Sequence, residues 1–434
     1  MNEITKTQDD TDRVHEEMKE TIQETTLDIE EIPKAKSKRL VSVDVSRGLT
    51  VMFMILCNYQ PDAFSILEHP EWIGFSVADS IFPNFLFIMG LAIPLAIHAN
   101  EGKISQKAMW FKVIKRFVII YLLGIWNNTF PFAWDGLAGW WRPVGVLQRL
   151  AICYLVNAVL YILSYKQRKG TIGYYYLRIG FPLSAIVLWI ALAYGVNVPW
   201  EGCGRGLLTA ECSTQSYFDS NLWGQNHNYQ KKRFDPEGSL STVTACVSCW
   251  LGVIIGMNIL KRRQKLVEIS YRYQKIAQLL LIAIFLMIFS YFIQTGIPIS
   301  KALWTPTFVL LAGGVSVSVL AVFMWAIDVK DFLNSPYRIV RFFFNTCIVV
   351  GKNPLIIYVF AENFAGFMYF VRINTSLSFA TGGSMSFYSF MYKLIWASWL
   401  PGHLASLAWS LSWIWLVYVP IAYFMDWRGW YIRI

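Results

Sequence analysis

Charge is what this chain has least of. Asp, Glu, Lys and Arg together make up 15% of the 434 residues, against about 25% in a soluble domain, so an ordinary soluble fold is excluded. Histidine is also scarce, with five in all. No HExxH or comparable ligand spacing occurs, so metal catalysis has no support and no metal is expected. A GxSxG elbow and a Walker loop are missing too. The first 31 residues are polar and mostly acidic and lack an apolar h-region, so no cleavable signal peptide is expected. Residues 1–40 read as a disordered cytosolic tail.

What fills the space is apolar. Hydrophobic residues reach 55% and aromatics 16%, with a mean hydropathy of +0.42. Repeated apolar stretches of about 20 residues each suffice to cross a hydrocarbon core roughly 30 Å thick. They fall at 41–60, 76–98, 111–127, 144–164, 177–198, 241–260, 276–295, 303–326, 348–370 and 404–425. The expected fold is therefore all-α, a polytopic integral membrane bundle of about ten helices within one domain, 41–434. Residues 386–400 look too short for a span.

The net charge of +10 does not indicate a nucleic-acid partner, because the basic residues sit in short clusters between spans, as orientation signals do. The clusters at 36–39, 103–116, 166–178, 261–265 and 330–341 all fall on one side of a ten-span bundle. That side reads as the cytosol, with both termini facing it. The loops at 61–75, 128–143, 199–240, 296–302 and 371–403 then face the opposite compartment. The extended loop 199–240 carries Cys203 and Cys212. Nine residues apart on the non-cytosolic side, they either form a disulfide or remain two thiols. The other five cysteines lie in apolar spans and read as small core residues. Among these, the CxxC of Cys246 and Cys249 has no second ligand pair.

Chemistry points to residues 58–90, NYQPDAFSILEHPEWIGFSVADSIFPNFLFIMG, a polar loop between two spans. It sets His69 at a membrane boundary, with Asn58 behind it and Asp79 just inside the next span, where an ionisable residue is a functional candidate by default. An imidazole titrates near neutrality and serves as a base or a nucleophile. An amide such as Asn58 suits an oxyanion, and a carboxylate such as Asp79 orients a histidine as the third member of a triad does. Each also has a plain reading: a solvated loop histidine, a helix C-cap and a structural acid. Asp44 and Arg47 share a helix face, as an ion pair or with Arg47 reaching an anion. Gln148 with Arg149, and Lys301 with Trp304, open two further spans and point to an enclosed polar cavity. In the long loop, His227, Asp235 and Glu237 suit a saccharide, with Trp72 beside them, although FDPEG also reads as a turn before a helix.

Six ordered motifs carry a resemblance: RLVSVDVSRG; NY followed by HPEWIGFSVADSIFPNFLFIMG; GVLQRLAICY; the loop ending YQKKRFDPEGSLSTV; KALWTPTFVLL; and GKNPLIIYV. From about residue 39 onward the chain resembles the heparan-alpha-glucosaminide N-acetyltransferase family and its bacterial transmembrane acyltransferase relatives. The resemblance implies an acetyltransferase that takes acetyl from cytosolic acetyl-CoA and places it on a terminal amino sugar across the membrane. The family's catalytic histidine falls on His69, its asparagine on Asn58 and its aspartate on Asp79. The expected donor contacts are Arg47, Lys115, Arg116, Gln148, Arg149, Lys301, Trp304, Lys352 and Asn353. A homodimer follows from the resemblance alone, as does a lysosomal or other endomembrane location in a eukaryote and the plasma membrane in a bacterium. The chain departs from the animal enzyme in offering a polar tail in place of a lumenal region and leading span. A transporter built around the same cavity is the competing class, and a non-catalytic scaffold the third.

Overall fold

In the computed structural model the described residues are 40–130, 141–166, 171–261, 263–374 and 384–432. The expected tail, 1–40, falls outside them except for Leu40, as do part of the loop 128–143 and the basic residues Arg168 and Lys169. The helices belong to the unit Val41–Ile434. They are α1 Val41–Asn58, α2 Ile81–Asn100, α3 Gln106–Thr129, α4 Val146–Lys166, α5 Ile172–Gly195, α6 Thr214–Leu222 and α7 Ser239–Lys261. Then come α8 Ile269–Ile293, α9 Pro306–Val329, α10 Arg338–Lys352, α11 Pro354–Phe370, α12 Phe387–Tyr392 and α13 Gly402–Trp427. A two-stranded antiparallel hairpin, Arg372–Asn374 with Ser384–Ser386, is the one sheet among the described residues.

The protein is an all-α polytopic membrane protein. Eight of these helices are long and apolar enough to cross a bilayer, and the bent pair α10–α11 is a ninth if it counts as one span. Two of the ten expected spans therefore need correction. Residues 111–127 do form a helix, α3, but its 24 residues start with Lys107, Lys112, Lys115 and Arg116, which dilute its apolar character. Residues 348–370 are not one straight helix: α10 and α11 meet at 84°. The physical cause is Asn353-Pro354, since a residue before proline is pushed out of the helical region and proline has no N–H to give. Asn353 accordingly has φ −129° and ψ 48°. Similarly α9 starts at Pro306 rather than 303, because Trp304 turns the chain with φ +49° and Thr305 caps the helix, its hydroxyl accepting from Phe308 N–H at 3.3 Å.

Small residues let the helices approach closely, as lipid-embedded bundles require. A Cβ on Gly48 would sit 1.8 Å from the Cys347 carbonyl oxygen, and one on Gly90 1.9 Å from that of Cys249. These contacts lock α1 to α10 and α2 to α7. Around α1 a core forms from Val45, Val51 and Ile55 with Cys347, Val350 and Trp409. A second, from Leu86, Cys153, Cys249, Trp250 and Phe308, joins α2, α4, α7 and α9. The beginning of α1 and the end of α13 lie at one end of the bundle: Gly351 abuts the Asp44 carbonyl, and Asn353 Nδ2 donates to the Trp430 carbonyl at 2.8 Å.

Candidate active site

At the opposite end of α1, Tyr59 fixes where the chain leaves the helix. Its hydroxyl donates to the Ala361 carbonyl on α11 at 2.7 Å and meets the Tyr418 hydroxyl, while Tyr388 Oη donates to the Tyr59 carbonyl at 2.7 Å. Asn58 is thereby held against α11, and its Nδ2 donates to Glu362 Oε1 at 3.0 Å. The loop that follows is pinned at Trp72, whose Nε1 donates to the Leu208 carbonyl at 2.6 Å and whose ring packs edge-on against Phe234 at 4.7 Å. Gly74, at φ +126°, completes the turn with its N–H on the Ile299 carbonyl at 2.8 Å.

This loop brings His69 over the start of α2. Asp79, with 2% of its side chain exposed, receives His69 Nδ1 on Oδ1 at 2.7 Å. Its other oxygen accepts the Ser76 N–H at 3.1 Å. Lys301 comes from the turn before α9: its Nζ is 3.2 Å from Asp79 Oδ1, 3.2 Å from His69 Nδ1 and 3.4 Å from Nε2. With Nδ1–H donated to the carboxylate, the ring keeps its lone pair on Nε2. Nearly half the histidine side chain is exposed, so a ligand can reach it.

His69 and Asn58 line one open cavity of about 520 Å³, together with Cys57, Gln60, Asp62, Glu68, Glu362 and His403. The volume is in the range of small-molecule pockets, about 300–1,000 Å³. On its wall His403 Nδ1 lies 3.1 Å from Asp62 Oδ1. His403 ends the loop 371–403 that the sequence sets on the non-cytosolic side, but nothing in the sequence assigned it or Glu362 to the site. Glu362 lies three residues beyond the motif GKNPLIIYV, inside an apolar helix, and that isolation was its only signal.

The other expected residues fall elsewhere. Asp235 is fully buried, and Arg142 binds it with Nε on Oδ2 at 2.8 Å and with Nη2 on Oδ1, while Nη2 also reaches Glu237 Oε2 at 2.6 Å. Burial works against the Arg142 charge, but the two carboxylates outweigh it and raise its pKa above the usual arginine value. Both acids are therefore spent on Arg142 rather than open to a cationic sugar. His227 Nδ1 sits 2.8 Å from the Trp141 carbonyl, with its ring on Trp141. Arg149, wholly buried, lies 4.9 Å from the Trp304 ring centre, and its guanidinium donates to Thr242 Oγ1, the Pro236 and Gly238 carbonyls and Ser241 Oγ. Trp304 is buried between Phe82 and Phe308 with its Nε1 on Ser248 Oγ at 3.1 Å. These two build the framework under the site.

At the other end of the bundle, Arg47 pairs with Asp44 at 3.4 Å and Lys352 with Asp426 at 2.6 Å. Asn353 is used up on the C-terminal segment, accepting from Ile432 N–H at 3.0 Å. Arg116 stacks over Tyr154 at 4.5 Å, and Lys115 is exposed. Gln148 is buried, with Oε1 lacking a hydrogen-bond partner. In the long loop a disulfide joins Cys203 to Cys212, their Cα atoms 5.2 Å apart.

Residues 39–195 match a family model described as a domain of unknown function (DUF5009). Over 379 residues, 76% of the chain, it is 28% identical to the human protein named heparan-alpha-glucosaminide N-acetyltransferase. Over 377 residues, again 76% of the chain, it is 29% identical to the mouse protein of the same name. The chain spans about half the length of these relatives, 54% of each. Over three quarters of its length the chain is thus similar to proteins named heparan-alpha-glucosaminide N-acetyltransferase, the family its six ordered motifs resemble.

Proposed function

We propose that this protein is a transmembrane N-acetyltransferase that moves acetyl from acetyl-CoA to the amino group of a glucosamine-type sugar, with His69 as the group that handles the amine proton. The observation that carries this reading is the His69–Asp79 hydrogen bond at the lip of a cavity that Asn58 also lines. In this reading the end of α1 that carries Asp44 and Arg47 faces the cytosol, and the cavity at its other end opens to the opposite side. The thioester carbonyl carbon is attacked by the sugar nitrogen, His69 Nε2 takes the proton the nitrogen sheds, the C–S bond breaks and CoA leaves as the thiolate. Asp79 holds the ring so that Nε2 faces the amine. Asn58 Nδ2 spends one N–H on Glu362 and has a second for the developing oxyanion.

Two buried acceptors fit a donor arm that carries amides. Gln148 Oε1 and Asn363 Oδ1 both lack a partner, and both border the C-terminal end of α3. A Cβ on Gly124 would sit 2.5 Å from Gln148 Oε1, and Asn363 Nδ2 donates to Asn127 at 2.8 Å. Two amide N–H groups, as a pantetheine arm supplies, would satisfy them.

The test is chemical. Purified protein with acetyl-CoA and glucosamine should release free thiol and form N-acetylglucosamine in equal amounts. Thiol release without acetylated sugar, or neither, would overturn the proposal. Rapid quenching with labelled acetyl-CoA and no sugar should leave the protein unlabelled, and an acetylated His69 would replace direct transfer by a two-step route.

A further inference from the structure

The cavity holds two histidines built alike. His403, in the first turn of α13, lines the same open space as His69 and Asn58. Its Nδ1 lies 3.1 Å from Asp62 Oδ1 and 3.4 Å from the Asp62 carbonyl oxygen. Both partners are acceptors, so Nδ1 carries the proton and the lone pair stays on Nε2. His69 is arranged in the same sense, with Nδ1 on the Asp79 carboxylate. About half of each side chain is exposed, so a ligand in the cavity reaches both rings.

The Asp62–His403 pair is held by its surroundings. Asp62 N–H donates to Ser406 Oγ on the same helix at 3.1 Å. Asp62 Oδ2 occupies the space a Cβ on Gly402 would need, 2.5 Å away, and the Phe64 ring packs 5.2 Å from the imidazole. Charge then separates the two histidines. Beside His69 the Lys301 ammonium is 3.4 Å from Nε2 and already neutralises Asp79 at 3.2 Å. That ammonium is a like charge to any incoming cation. Neither lysine nor arginine lines the cavity, where Asp62 and Glu68 stand on the loop, Glu362 and His69 on the other walls, and Tyr392 Oη donates to the Gly402 carbonyl at 3.4 Å. An ammonium is therefore met at His403 rather than at His69.

Acetyl transfer to an amine requires two deprotonations. An amine that titrates near pH 8 arrives as an ammonium with no lone pair, so one proton must leave before attack and another after the C–N bond forms. His69 accounts for the second.

We infer that His403 is a second catalytic base, positioned by Asp62, that takes the first proton from the acceptor ammonium. This rests on the acetyl-transfer reading above and deepens it. The N–H bond of the ammonium breaks, its proton goes to His403 Nε2 and from there to solvent through the open cavity, and the neutral amine attacks the thioester. His69 then takes the second proton and passes it to the departing thiolate. The sum is an ammonium and acetyl-CoA converted to an amide, the CoA thiol and one proton.

The test exploits the acceptor's own ionisation. Thiol release from acetyl-CoA is measured with glucosamine at pH 6, where the sugar is mostly ammonium, and at pH 8.5, where it is mostly free amine. The full chain is used as wild type, His403→Gln and Asp62→Asn. At pH 6 His403→Gln should lower kcat/KM by about 10²-fold, the low end of what a general base contributes. At pH 8.5 the loss should shrink to about tenfold or less, because the solvent has already done that step. Asp62→Asn should show the same pattern with a smaller loss, and since Asp62 is half exposed it carries the test even where His403→Gln fails to fold. An equal loss at both pH values, or none at pH 6, would overturn the inference and leave acetyl transfer standing. No thiol release by the wild-type protein at either pH would overturn the transfer reading itself.

Discussion

Two clusters of acids and bases sit at the same end of this bundle and have opposite characters. Around Arg142, Asp235 and Glu237 every charge meets its opposite, and the Asp235 carboxylate is sealed from solvent. Around His69, Asp79 is just as buried, but the ring it holds is half exposed over a cavity. One cluster satisfies itself and stabilises the loop. The other leaves an oriented nitrogen, an amide and three carboxylates facing open space. Composition does not separate them; closure does. The candidate site is the cluster that stays open to a cavity.

The largest effect expected from that contrast is on catalysis. Asp79→Asn should lower kcat by about 10³–10⁴-fold, as loss of an orienting carboxylate does, with the melting temperature nearly unchanged. Asp235→Ala should do the reverse. Leaving Arg142 with one partner in a buried site should cost about 3–5 kcal/mol of stability, seen in thermal or denaturant unfolding, while the molecules that remain folded keep their activity.

A third carboxylate sharpens the comparison through pH. Asp219, buried in the long loop, accepts the Ser239 N–H at 2.8 Å with one oxygen, and its other oxygen has no partner. Burial pushes its pKa up from 3.8 to about 7. Between those values the folded protein holds a proton that the unfolded chain has lost, so stability falls as pH rises through that window. The full difference is on the order of 4 kcal/mol. Asp219→Asn should flatten this slope in unfolding measured from pH 4 to pH 8. A slope unchanged by the substitution would remove Asp219 from the account. Asn58→Ala should follow, with a loss of about 10²–10³-fold in kcat, the usual effect of deleting an oxyanion donor.

Much of the frame was legible because bilayers constrain sequences so strongly. Apolar length located most helices, and a histidine and an aspartate flanking a span mouth located the pair at 2.7 Å. What could not be read was packing between distant segments. Glu362 meets Asn58 across 304 positions of sequence, and Lys301 meets His69 across 232. Nothing local in either stretch announces its partner. Asp235 looked free to bind a sugar because Arg142, 93 residues earlier, carried no mark as its counter-ion. The bend at Asn353-Pro354 was legible in principle, since proline after asparagine breaks a helix, but the apolar residues on both sides hid it.

The most direct measurement of the central claim is thiol release from acetyl-CoA by His69→Ala beside the wild-type protein, each matched for melting temperature and gel-filtration profile, with glucosamine present. The account predicts that the variant folds and releases thiol no faster than buffer. Release at the wild-type rate by a folded His69→Ala protein would contradict it.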